Sequence, residues 1–307
     1  MIALLLVQKI ISLFIIMFLG GALVRFKVLS SKDSRTLSVI ALYLLTPAVI
    51  ISSYQVDFTG EVLSGLGIAV LASVIIHIIL ILINRFALVP LGFDPVEQTT
   101  ILYSNAGNLI IPLVSSMLGD EWVIYTSAFM AVQQVLFWTH AKLILCGEKK
   151  FSLKKIISNV NIISILIGIF LFATGIRIPG PADDAIRTLG SMVGPASMLV
   201  TGMLIGGMSF KTVFSFRRLW LIAALRLIAV PLITLAFLKF SGIASLVPGG
   251  KDVLLITFLA TSTPSASTIT NLTQIYGKNA DYASAINVAT TLLCIVTMPV
   301  MVMLYTL

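Results

Sequence analysis

The chain has 307 residues, 58% hydrophobic and 10% charged, with a mean hydropathy of +1.09 and a formal net charge of +8. That leaves too few polar side chains to cover a water-facing surface, which excludes a soluble globular domain and a disordered chain alike. The positive balance comes with no basic helix and no aromatic stacking motif, so it calls for no nucleic-acid partner.

Ten apolar runs follow one another, each near the roughly 20 residues a helix needs to cross a bilayer core. None alternates polar with apolar as a barrel strand would. In the first half they cover approximately Leu4 to Val24, Thr36 to Gln55, Val62 to Asn84, Thr99 to Leu118 and Trp122 to Leu145. The second half holds Ile156 to Gly175, Leu189 to Met208, Leu219 to Phe240, Val253 to Tyr276 and Tyr282 to Tyr305. The first run has no cation ahead of its apolar stretch and no small-residue cleavage site behind it, so it is expected to stay as span 1. Ile176 to Arg187, with Pro179, Gly180 and Pro181, reads as a turn and a short interfacial helix. Cys146 and Cys294 have no metal-ligand spacing and read as small packing residues.

The two halves carry one register. Pro112 and Pro264 lie 152 residues apart, and the same offset carries Ile10-Ile11-Ser12 onto Ile162-Ile163-Ser164 and Arg25 onto Arg177. We therefore expect a duplicated unit: residues 1–147 as the first five-helix repeat, 148–155 as a cytoplasmic linker and 156–307 as the second. Of the 20 cations, Lys9, Lys142 and Arg226 fall inside spans, and Arg177, Arg187, Lys239 and Lys251 fall in one set of loops. The remaining thirteen fall in the other set, which the positive-inside rule assigns to the cytoplasm, with both termini outside. Because five spans is an odd number, the second repeat enters the membrane from the opposite side, and the repeats are inverted. The expected fold is an all-α membrane protein of ten transmembrane helices.

Spans 4 and 9 are interrupted in matching places, by Asn105-Ala106-Gly107-Asn108 with Pro112 and by Thr261-Ser262-Thr263-Pro264 with Asn271. A proline removes a helix hydrogen bond, and in lipid the freed groups need protein or a wet cavity beside them. Tight packing of small residues explains either break alone. Recurrence in both halves favours a site at the crossing of two unwound helices, whose positive half-helix ends suit an anion. The candidate substrate-binding residues are Asn105, Gly107, Asn108, Pro112, Thr261, Thr263, Pro264, Ser265 and Asn271, joined by Gln133 and Gln134 of span 5. The two glutamines serve a carboxylate or an interhelical hydrogen bond equally well.

None of the twelve acidic residues is expected well inside a span, which argues against proton relay through a midplane acid and weakens the case for sodium. Arg226 is either a charge partner for an anionic solute or a side chain that snorkels the roughly 10 Å to the cytoplasmic end of span 8. Snorkelling is the simpler reading for Lys9 and Lys142 as well. His77 and His140 read as hydrogen-bonded packing residues rather than proton carriers.

The string SNAGNLIIPLVSSMLG in span 4, with STPSASTITNLTQIYGKNADYASAINVATTLLCIVTMPVMVMLY in spans 9 and 10, resembles the auxin efflux carrier family of membrane transporters. The resemblance covers essentially the whole chain. It implies a fold like that of bile acid symporters and sodium/proton antiporters, with broken helices 4 and 9 crossing. It also implies a scaffold of spans 1, 2, 6 and 7, a homodimer through that scaffold, and an elevator-like transport domain of spans 3–5 and 8–10. Members carry auxin in plants, and bacterial members are associated with malate or malonate. The chain lacks the long hydrophilic central loop of the plant proteins, so regulation through that loop is not carried over.

The expected function is a secondary carrier that exports a small organic anion, most simply a carboxylate, across the cell membrane along the membrane potential. No cofactor and no metal is called for. The alternatives are sodium- or proton-coupled uptake on the same fold and, in another class, a channel or membrane sensor. An intramembrane enzyme is not expected, since there is no HExxH, no GxGD-like pair and no convincing Ser and His pairing at membrane depth.

Overall fold

The computed structural model describes residues 2–147, 157–209, 211 and 216–307. The expected linker, 148–155, lies outside the described residues. Apart from one isolated bridge there are no strands among the described residues, as lipid requires of a chain that is not a barrel. In chain order the helices are α1 (Ile2–Arg25), α2 (Ser31–Ser53), α3 (Gly60–Leu88), α4 (Pro95–Leu102), α5 (Ile111–Leu118) and α6 (Asp120–Cys146). After them come α7 (Val160–Thr174), α8 (Gly180–Gly206), α9 (Leu219–Phe240), α10 (Gly250–Thr261), α11 (Ser267–Ile275) and α12 (Ala280–Thr306). Among the described residues six of these, α2, α3, α6, α8, α9 and α12, are long and apolar enough to cross a membrane. The short helix expected after Pro179 is present, but it runs on through Met192 into α8 and does not end at a loop.

Prolines shape these helices through widened turns. Pro47, Pro90, Pro112 and Pro231 each stand two residues beyond a π-helical turn: Ala41–Leu45, Asn84–Leu88, Ala106–Ile110 and Leu225–Ala229. The residue just before three of them donates to the carbonyl five positions back, Thr46 to Ala41, Val89 to Asn84 and Val230 to Leu225. A proline clashes with the carbonyl four residues earlier and supplies no N–H, and one wide turn relieves both problems while the helix continues. Pro112 accordingly does not break span 4 where it stands. The chain leaves the helix upstream, at Tyr103, whose backbone is extended (φ −105°, ψ 133°).

The chain divides into two compact units. The first comprises Met1–Leu63, Gly107–Ser127 and Ile157–Met208. Its spine is α1 against α8, where Gly20 and Gly21 face Leu199, Gly202 and Gly206 so closely that a Cβ on Gly202 would strike the Met17 carbonyl. Apolar side chains have little to gain by leaving lipid, so backbone approach over small residues supplies the packing. Tyr54 fills the gap over Gly168, and its hydroxyl pairs with Ser127 at 2.6 Å. Pro112 rests against Gly194.

The second unit comprises Ser64–Ala106, Ala128–Ile156 and Ser209–Leu307. One of its corners is polar and closed. Asp94 caps α4 by accepting from the N–H groups of Val96 and Glu97 at 2.8 and 2.9 Å, and Glu97 accepts in turn from the Asp94 N–H at 2.9 Å. Glu97, only 1% exposed, also accepts from the Tyr282 hydroxyl at 2.9 Å and pairs with Arg218 at 3.1 Å. The expectation that the acids stay beside loops holds for its place at a helix start. It misses that Glu97 is a buried, paired group tying α4, α9 and α12 together.

Candidate functional site: a helix crossover in the second unit

Two helices of the second unit stop and cross. Residues Ser104 and Ser265 form an antiparallel bridge, in which the Asn105 N–H donates to the Pro264 carbonyl at 2.9 Å and the Ala266 N–H donates to the Tyr103 carbonyl at 3.0 Å. This bridge satisfies two of the N–H groups and two of the carbonyls that the breaks release, a pairing that unwound chain needs inside a membrane protein.

Side chains from three further helices pin the crossing. Gln133 of α6 accepts from the Ser104 N–H at 3.0 Å and hydroxyl at 2.8 Å, and donates through Nε2 to the Ser104 carbonyl at 2.8 Å. Of the two roles open to Gln133, it fills the interhelical one, since both ends of its amide are engaged with protein. Gln134 is half-buried and takes no part in that clamp. From α12, Thr290 Oγ1 accepts from the Ser265 N–H at 3.2 Å, and Asn287 Nδ2 donates to the Ser265 carbonyl at 2.5 Å.

Arg226 of α9 completes the arrangement. Snorkelling is excluded by its position: the side chain is 0% exposed and turns inward from the wide turn that precedes Pro231. Its Nε donates to the Thr263 carbonyl at 3.1 Å, one terminal nitrogen to Ile101 at 3.1 Å and the other to Thr261 at 2.8 Å. Ile101 and Thr261 lie in the last turns of α4 and α10, where carbonyls lack helical partners and the helix dipole is negative. One guanidinium therefore caps both half-helix C-termini.

The remaining expected residues divide. Asn105 is 8% exposed, and its Oδ1 accepts from the Ser267 hydroxyl at 3.4 Å. The hydroxyls of Thr261, Ser262 and Thr263 turn back onto carbonyls of their own helix, Phe258 and Ala260, and serve the backbone. Pro264 is buried in the bridge itself. Ser265 differs from its neighbours: it is fully buried at the crossing, and its hydroxyl has no hydrogen-bond partner. Gly107, Asn108 and Pro112 continue the chain into the first unit, and the Asn108 side chain lies outside the described residues. Asn271 is exposed on α11 and is not gathered at the crossing.

Sequence reasoning missed Ser104, Asn287 and Thr290. A polar residue in the middle of an apolar span was the available signal for Asn287 and Thr290. The two histidines pack as expected, with Nδ1 of His77 on the Ser73 carbonyl at 2.7 Å and Nδ1 of His140 on the Tyr103 hydroxyl at 2.8 Å. No group of three or more His, Cys, Asp or Glu placed to hold a metal ion occurs among the described residues.

A multi-pass helical membrane protein whose interrupted helices cross over a buried arginine is the class that these observations define. Residues 5–151 and 148–302 match the family of membrane transport proteins, and the chain belongs to that family, the auxin efflux carriers. It is a family of transporters and not of enzymes. No curated protein matches the sequence significantly.

Proposed function

We propose that this transporter moves a small organic anion, most simply a carboxylate, by alternating access at the crossover, exporting it along the membrane potential. The observation that carries the reading is the asymmetry of charge at the crossing. Arg226 holds the two negative helix ends, while the start of α11 and the bare Ser265 hydroxyl offer donors and partial positive charge to a solute. Asn105 lies beside them and supplies an amide.

On this reading the protein has ten spans in two inverted repeats, sits in the cell membrane with both termini outside, and forms a homodimer. The grouping of α1, α2, α7 and α8 into one unit and of most of α3, α6, α9, α10 and α12 into the other supports a scaffold and a mobile carrier of the elevator type, although α5 of span 4 falls in the first unit. One negative charge leaving an inside-negative cell gains about 2.3 kcal/mol per 100 mV, so no coupling ion is required.

The test is flux in proteoliposomes with a panel of mono- and dicarboxylates, at potentials set by potassium and valinomycin. Saturable efflux that follows the potential and is lost in Asn105→Ala supports the reading. Flux that ignores the potential, or that follows sodium at clamped potential, overturns it.

A further inference from the structure

A helix dipole has no net charge, so the two half-helix ends that cap the guanidinium quiet the field around it without cancelling its charge when the whole unit is displaced. Among the described residues Arg226 and Glu97 are the buried side chains of formal charge, His77 apart. Glu97 moves as a pair with Arg218, whereas every nitrogen of Arg226 is spent on neutral carbonyls. An arginine does not lose its proton in proteins. Lys142 is only part-buried and stands four residues from the end of α6.

We infer that Arg226 makes the empty carrier a cation and the monoanion-loaded carrier neutral, so that membrane voltage acts on the substrate-free return step and not on the loaded crossing. This rests on the elevator reading given above. Each full cycle still exports one negative charge, because the neutral loaded unit moves outward and the positive empty unit moves back inward. If the unit traversed the whole field, the ratio of inward- to outward-facing empty carriers would change by roughly fiftyfold per 100 mV. Homoexchange of a monoanion, in which only loaded carriers cross, should be flat with voltage even though net efflux is steep. Arg226 is thus a positioning and charge-setting residue that does not itself touch the solute.

The experiment is voltage-step recording on the full chain in giant liposomes with no organic anion present, beside homoexchange of a labelled monocarboxylate in vesicles. Wild type should give a transient charge movement whose on and off components match, and Arg226→Lys should keep it. Arg226→Gln should abolish it. Should that variant fail to fold, Cys294→Asp answers the question with the arginine in place. The Cys294 thiol approaches the Ser262 carbonyl at 3.9 Å, between the two carbonyls of α10 and its exit that Arg226 holds. A carboxylate there gives a neutral pair and should remove the transient. An undiminished transient in Arg226→Gln or Cys294→Asp overturns the inference. So does a wild type that exchanges the anion saturably with no transient at all. Absence of both exchange and transient overturns the transport reading itself, and the inference with it.

Discussion

Ser265 and Gln133 lie on either side of the same bridge and should respond to mutation in opposite ways. The Ser265 hydroxyl is buried without a partner, so Ser265→Ala removes a group that costs folding energy. Its thermal stability should stay within about 0.5 kcal/mol of wild type or rise, while the KM for the carried anion increases about tenfold, equivalent to about 1.4 kcal/mol. Unfolding curves and initial flux rates on one preparation check both numbers. Gln133→Ala leaves the N–H, carbonyl and hydroxyl of buried Ser104 without these partners. At about 1–3 kcal/mol per orphaned group, it should lower stability by about 3 kcal/mol or more and reduce flux through misplacement of the crossing. A thermal midpoint unchanged in Gln133→Ala would refute the clamp.

At the scale of an element, proline controls register. Pro231→Ala restores a donor N–H and removes the clash that holds the Leu225–Ala229 turn wide. If that turn tightens to ordinary α-helix, everything on one side of it rotates by roughly one residue, about 100°, and Arg226 swings off three carbonyls. Insertion in the membrane should survive while the thermal midpoint and net flux both fall. Pro112→Ala, which acts on the corresponding turn Ala106–Ile110, should likewise impair transport more than insertion. In the first unit the sensitive element is the contact of α1 with α8. Gly202→Leu drives a side chain into the Met17 carbonyl and should destabilise the protein by about 3 kcal/mol or more, read as loss of monodisperse protein in detergent.

At the scale of the molecule, the decisive quantity is the distribution of solute at a clamped potential. For an uncoupled monoanion carrier the outside-to-inside ratio should approach about fiftyfold at 100 mV, inside negative, and fall to unity when the potential is collapsed. A ratio that persists without a potential would require a coupling ion.

Composition alone made this chain a membrane protein, because no arrangement of so few polar side chains covers a water-facing surface. The interruption of span 9 was legible at its place, beside Pro264, whereas in span 4 only the segment was legible, since a wide turn accommodates Pro112 and the chain leaves the helix upstream at Tyr103. What a one-dimensional reading left open or misplaced were assignments that depend on what lies opposite. Arg226 looked within reach of the interface along its own helix, yet two carbonyl ends from α4 and α10 receive it. Gln133 looked as good for a ligand as for a helix neighbour until Ser104 was found opposite it, and Asn287 gave no sign of its partner Ser265. Hydropathy and proline chemistry are properties of a segment and its solvent, so the sequence determined them by itself. Which carbonyl a buried donor meets depends on how segments from 22 to 125 residues apart cross, and only the tertiary structure decided that.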